Sequence, residues 1–434
     1  MIKKREYQRR RRQIMKTIGE GSIAILSARE EFLRNGDAYY KYRQDSNFYY
    51  LTGFDEPEAV LVLCPGSEYG DSILFCREIS DDHVMWHGDM SGTDNAVEDY
   101  GFDHAFDILQ IEKRMPELIS GREKLFFMTG TDEFLNQNIH RWIQLIRRRR
   151  GEKSTAPTEF VSLAHVIHDM RLYKSPDEIK CIQQSANIAS EAHMNMMRLC
   201  APELNETDLH AEYIKTLTRF RSEPSYLPII GSGTNSCILH YNHNNKNLQN
   251  GELVLIDAGA EYDYYASDIT RTIPVSGQFN SRQKDLYSVV LSAQEQAIEA
   301  VKPGNHWLDP HEAAVEVLVQ GLLDLKIMQG SVEQILEEKT YTQYYMHMTG
   351  HWLGLDVHDV GDYKVDDLWV ELEPGMVMTV EPGLYIGENT SAPAAWKGLG
   401  IRIEDDVQVT RDGHHVLSAK APKKIKEIEQ IMRG

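Results

Sequence analysis

Short apolar runs alternate with amphipathic stretches through residues 1–174, and that alternation predicts an α/β domain. Ala59–Leu63 and Ser72–Phe75 read as strands, and Leu135–Arg150 reads as a helix. A new pattern begins at Ser175-Pro176-Asp177-Glu178, which offers a side-chain N-cap, a proline suited to the first helical turn and a capping-box glutamate. A long helix is predicted from there, through Ile179 to about Leu199. Further amphipathic helices fit Arg282–Val301, ended by Lys302-Pro303-Gly304, and Pro310–Leu325. The pattern therefore predicts two domains, 1–174 and 175–434, with no low-complexity linker.

In the second domain several apolar runs end on an acid. Leu253-Val254-Leu255-Ile256 runs into Asp257, and Asp268 begins the alternating stretch Asp268–Ile273. The segment Ala258–Tyr265 between them reads as a turn that folds two strands into a hairpin. Glu381 follows Met376–Val380 and precedes Pro382-Gly383, while Glu404 closes Ile401-Arg402-Ile403. Taken singly, each acid is an ordinary strand-end residue or salt-bridge partner. Pooled with His351, four carboxylates repel one another unless cations neutralise them, so the set predicts bound metal. Hard oxygen donors favour Mn²⁺ or another hard divalent ion over a thiolate-type zinc site, and hydrolysis is the expected chemistry. His347 and His351 have the spacing of a zincin helix, but no Glu follows the first His, and Gly350 and Gly354 argue against a helix. Taken separately, His240, His347 and His358 are ordinary core histidines.

Longer stretches around these positions carry a resemblance. Leu255–Gly259, Ser267–Thr272, Gly350–Asp359, Val380–Tyr385 and Gly400–Asp406 resemble the bacterial Xaa-Pro aminopeptidases, or aminopeptidase P. These belong to the metallopeptidases that share the pita-bread fold with methionine aminopeptidase, prolidase and creatinase. Tyr42-Arg43-Gln44, Phe48–Phe54, Glu56–Leu61 and Met170–Pro176 are similar to the rest of an aminopeptidase P chain, so the likeness runs from about residue 7 to near the C-terminus. It implies a creatinase-like α/β N-terminal domain and a C-terminal α+β pita-bread domain.

The resemblance also implies roles. Asp257 would chelate one of two divalent ions, His351 and Glu381 the other, and Asp268 and Glu404 would bridge both. A hydroxide between the ions would be the nucleophile, with Glu381 as proton acceptor and shuttle. His240 and His358 match histidines flanking the scissile bond, and His347 matches one near the proline pocket. Arg402 and Tyr385 match residues that support the ligands. Trp86 matches an aromatic near the substrate, with a plain core aromatic as the alternative, and Asp37 resembles an acid that reaches a neighbouring subunit's site. The implied substrates are peptides with an N-terminal Xaa-Pro, and the implied assembly is a homodimer or homotetramer. Proline removes the amide hydrogen and restricts the residue before it, so such a site must read the ring itself. A prolidase confined to Xaa-Pro dipeptides shares every proposed ligand and is the nearest alternative. It needs a basic group for the dipeptide carboxylate, and within Asp362–Leu372 the basic residue is Lys364. A metal-free binding protein that keeps the fold is a remoter one.

Composition narrows the partners. Lys plus Arg number 46 against 66 Asp plus Glu, a net charge of −20, which argues against nucleic acid. The basic clusters Lys3–Arg5 with Arg9–Arg12, and Arg147–Arg150, read as solvated helix faces. The five cysteines have no CxxC spacing and read as reduced thiols. No stretch has the length of a membrane span and no apolar segment follows the basic N-terminus, so a cytoplasmic location is expected.

Overall fold

The computed structural model describes residues 2–130, 132–148 and 155–434. It divides into two compact units after Arg171. The sequence-based boundary lies after Lys174 instead. Lys174 belongs with the second unit because its N–H donates to the Gly375 carbonyl (2.9 Å) and its ammonium is buried against Asp359 (3.0 Å).

The first unit is built on a six-stranded mixed sheet in the order His104–Asp107, Ser72–Cys76, Val60–Leu63, Ser22–Ser27, Lys124–Phe127, Glu159–Ser162. Ser22–Ser27 runs antiparallel to Val60–Leu63 and parallel to Lys124–Phe127. Two amphipathic helices, Ile111–Ile119 and Glu133–Arg148, place Met115, Ile119, Leu135, Ile139 and Trp142 against the apolar side chains of these strands. The basic N-terminal helix Lys4–Ile18 departs from the solvated face expected of it. Arg10 and Arg11 are fully buried, donating to the carbonyls of Tyr50 (2.9 Å) and Leu51 (3.0 Å), and Arg11 also to Gly101 (2.7 Å). Burying a guanidinium requires compensation; carbonyls supply it for Arg11, while Arg10 adds an ion pair with Glu6 (3.4 Å) and the face of the Tyr50 ring (3.9 Å). Arg147 and Arg148 do stand exposed, while Arg149 and Arg150 lie outside the described residues.

The second unit pairs long helices with small antiparallel sheets. Pro176–Leu199 starts on the expected Ser175 capping box, and Ser281–Ala300 and Asp309–Asp324 pack against each other. Strand Leu253–Asp257 lies between Ile229–Ser232 and Thr270–Pro274, with Asp257 opposite Thr270. The predicted hairpin pairing is present, with two differences. Asp268 stands two residues before its strand, and the connection is itself paired, Ala260–Tyr262 against Tyr265–Ala266. Tyr262 and Tyr265 give that segment the β-forming side chains that a plain turn lacks. Val377–Val380 pairs with Asp405–Thr410, and Gly383–Ile386 with Leu399–Arg402. All five cysteines are free, and four are buried. Among the described residues no helix is long and apolar enough to cross a membrane.

Candidate metal centre

Three strand ends meet at one cavity of about 500 Å³ in the second unit. Asp257 closes its strand there, Glu381 follows Val377–Val380 directly, and Glu404 lies just past Leu399–Arg402. Asp268 and His351 arrive on irregular segments. The residues before His351 form no helix, which removes the zincin geometry. A side chain at Gly350 would put its Cβ 2.1 Å from the Thr379 carbonyl, so glycine permits the close approach that lets the His351 N–H donate to Thr379 Oγ1 (3.1 Å).

Asp257, Asp268, His351, Glu381 and Glu404 all line the cavity, with His240, His347, His358 and Arg402. Donor atoms of Asp268, His351 and Glu404 lie within 4.8 Å of one another. The His351 ring is fixed by a contact of Nδ1 with the Trp352 carbonyl (3.0 Å). Since that carbonyl can only accept, Nδ1 carries a hydrogen there, and Nε2 is left on the cavity side. Nε2 then stands 3.4 Å from Asp268 Oδ2 and 3.7 Å from Glu381 Oε1. An imidazole nitrogen grouped with two carboxylates is a donor set that suits a cation, and the carbonyl behind the ring is the usual orienting partner of a ligand histidine.

The charges tell the same story. Burial, then the neighbouring Glu404, push Glu381 up to about 8. Asp268 and Glu404 are raised well above the usual carboxylate range by burial and by the other acids. Arg402 is the cation among them. It donates to Asp257 Oδ2, to Thr270 Oγ1 (3.1 Å) and to the Tyr385 hydroxyl (2.8 Å). One guanidinium does not balance four acids, so the donor set fits divalent ions.

Arg402 also organises a histidine. Its bond occupies the Tyr385 oxygen as acceptor, so the Tyr385 hydrogen points to His347 Nε2 (2.9 Å), while His347 Nδ1 donates to the Met348 carbonyl (2.8 Å). Both nitrogens are used in the neutral ring, and burial, then Arg402, hold His347 down at about 4. His358 packs edge-on to His351 with ring centres 4.2 Å apart, and its pKa is lowered by burial and then by His351 and His240. His240 stands exposed on the turn after Gly233–Cys237.

Two further residues expected near substrate belong to the first unit. Trp86 lies on helix Asp81–His87 and is 76% exposed, which excludes the core-aromatic alternative. Asp37 is exposed at the turn between Leu33–Asn35 and Ala38–Tyr39.

Sequence reasoning missed several supporting groups. The Tyr226 hydroxyl lies 2.5 Å from both Asp257 Oδ1 and Asp268 Oδ1, and its single proton can serve one of them. Thr270 passes a hydrogen bond from Arg402 to Glu404 (2.6 Å). Asp406 accepts from the Asp268 N–H (3.1 Å), and buried His193 reaches the Ala258 carbonyl (2.9 Å) just behind Asp257. Asp406 had a visible signal, an acid two residues past strand-end Glu404 in the run Glu404-Asp405-Asp406; the hydroxyls had none.

With this geometry in view, comparison with known proteins is direct. Residues 180–411 match the model of metallopeptidase family M24, and residues 7–127 match that of the aminopeptidase P N-terminal domain. The Xaa-Pro aminopeptidase of Escherichia coli is 40% identical over 99% of this chain and 98% of its own. Aminopeptidase PepP of Pseudomonas aeruginosa superposes with a TM-score of 0.98 at 45% identity, covering 100% of this chain and 98% of that one. Zinc-substituted E. coli aminopeptidase P in complex with product gives 0.96 at 39% identity, with the same coverage. The chain belongs to metallopeptidase family M24, in the group of the bacterial Xaa-Pro aminopeptidases.

Proposed function

We propose that this protein hydrolyses the bond between an N-terminal residue and a following proline, using two divalent ions held by Asp257, Asp268, His351, Glu381 and Glu404. The observation that carries the reading is the convergence of these five side chains with His240, His347, His358 and Arg402 on one cavity. Its relatives are Xaa-Pro aminopeptidases, and a zinc-substituted one has been solved with product. When bound, divalent ions supply carbonyl polarisation and lower the pKa of water from 15.7 toward about 7.

The chain's own groups do the rest. The acidic cavity attracts the substrate's free ammonium. Glu381 keeps 18% of its side chain open to the cavity, and its carboxylate accepts the proton of the attacking water and returns it to the proline nitrogen. His240 and His358, at the open side of the cavity, hydrogen-bond the carbonyl oxygen as it gains charge. His347, Tyr385 and Arg402 form a connected set: Arg402 fixes Tyr385, Tyr385 fixes the His347 ring, and that ring forms a wall for proline. Proline needs no backbone acceptor at its nitrogen, so an apolar ring contact suffices.

Asp257 would take one ion and His351 with Glu381 the other, with Asp268 and Glu404 shared. The oxygen-rich donor set supports Mn²⁺. Free cysteines support a cytoplasmic setting, and the resemblance of the N-terminal domain supports a homodimer or homotetramer in which Trp86 and Asp37 approach substrate. The test compares release of alanine from Ala-Pro-Ala and from Ala-Pro. The reading predicts turnover of the tripeptide, and cleavage of the dipeptide alone would move the assignment to a prolidase.

A further inference from the structure

Lys364–Val365 and Leu368–Trp369 fold into a two-stranded hairpin, turned through Asp366 and Asp367 at φ of 49° and 63°. Its base is tied to the segment before helix Asp309–Asp324. Trp307 donates its N–H to the Val370 carbonyl (2.9 Å), Leu372 donates to Asn305 (2.7 Å), and Val370 donates to Tyr363 (3.1 Å). These bonds gather Trp307, Tyr363 and Trp369 around a second cavity of about 500 Å³, whose other walls are Lys364, Met348 and Gly350. Met348 and Gly350 also line the carboxylate cavity. The two recesses therefore share the stretch of chain that carries His347 and His351.

The second recess has a definite chemistry. The Trp307 and Tyr363 rings lie 4.6 Å apart, and buried Trp352 packs behind both, 4.2 Å from Trp307 and parallel to Tyr363 within 4°. Trp307 and Trp352 are buried and hold the wall rigid, so the partly exposed Tyr363 and Trp369 offer the apolar contact at little entropic cost. The Lys364 ammonium lies 4.2 Å from the Trp369 ring centre, which brings a cation to the wall. No described acid lines this recess, in contrast to its neighbour. A substrate's N-terminal ammonium is drawn to the carboxylates and repelled by Lys364, so the aromatic recess suits the opposite end of the peptide.

We propose that this recess is the subsite for the residue following proline, that it takes an apolar or aromatic side chain, and that Lys364 pairs with the carboxylate when that residue is the last. The inference rests on the Xaa-Pro reading above and deepens it: the hairpin makes the enzyme selective at the third position.

The test measures kcat/KM of the manganese-loaded protein on Ala-Pro-Phe, Ala-Pro-Phe amide and Ala-Pro-Gly. The wild type is expected to prefer Ala-Pro-Phe over Ala-Pro-Gly, and Trp369→Ala to lower kcat/KM about tenfold on the former and less than about twofold on the latter, the range of one pocket contact. Lys364→Gln, on an exposed position that leaves the fold intact, is expected to raise KM for Ala-Pro-Phe and not for its amide. An active wild type without this preference, or variants that change all three substrates equally, overturns the subsite and leaves the Xaa-Pro reading in place. A wild type inert on all three overturns both.

Discussion

His351 Nε2 stands 3.4 Å from Asp268 Oδ2, with the ring held from behind by the Trp352 carbonyl. This places an imidazole nitrogen against a buried acid whose pKa is already raised by its surroundings. Without an ion, the cluster must hold protons; with one, it must release them.

That exchange sets a pH dependence of stability. Glu381 has its folded pKa raised from 4.5 to about 8, and Asp268 and Glu404 shift in the same direction. Raised carboxylates bind more protons folded than unfolded, so their contribution is fully present below pH 4.5 and is lost as pH rises through about 8. The metal-free protein should therefore lose stability between these limits. Added Mn²⁺ should raise Tm more at about pH 8 than at about pH 5, since saturation at ~100 Kd adds about 2.7 kcal/mol and protons compete at the lower pH. Thermal melts with and without metal at both pH values check this, and an equal gain at both contradicts it.

Tyr385 and Arg402 are expected to position rather than react. Tyr385→Phe removes the hydroxyl that links Arg402 to His347 and should cost about 10–100-fold in kcat/KM, with metal content unchanged. Arg402→Lys should lose metal affinity as well, because an ammonium cannot serve Asp257, Thr270 and Tyr385 at once in the fixed geometry of a guanidinium. Metal analysis beside steady-state kinetics separates the two effects. Full activity in Tyr385→Phe would remove the link from the mechanism.

Much of this site could be read from the chain because apolar runs announce where strands stop. That signal marked Asp257 after Leu253–Ile256 and Glu381 after Met376–Val380 as strand-end acids, and pooling them with His351 and the family resemblance made them ligand candidates. Tyr226 could not be found so. It meets Asp257 and Asp268 from 31 and 42 residues away, and nothing local marks a tyrosine as a partner for two acids. Arg10 and Arg11 were misread for a related reason. Charge predicts exposure unless distant carbonyls cover it, and those of Leu51 and Gly101 lie 40 and 90 residues on. The paired segment between Asp257 and Asp268 was read as a turn because each of its strands is too short for an alternating pattern to show.

Behind the carboxylate cluster lies a buried ion pair, Arg271 with Asp405, at 2.7 Å and without solvent contact. Arg271 also donates to the Glu404 and Ala421 carbonyls, so it ties the Glu404 turn to the C-terminal segment. Arg271→Met should destabilise the protein by about 3 kcal/mol, the lower end for removing one partner of a buried pair, because Lys423, Gln294 and Ser418 remain on Asp405. Urea unfolding at constant metal concentration measures it. A midpoint equal to wild type would show that the pair adds nothing.

Peptide hydrolysis is expected to depend on metal held by Asp257, Asp268, His351, Glu381 and Glu404. The most direct measurement is alanine release from Ala-Pro-Ala by chelator-stripped protein during titration with Mn²⁺. No turnover is expected at the start, and activity is expected to saturate near two equivalents per chain, an amount Asp268→Ala cannot take up. Full turnover by the metal-free protein would contradict it.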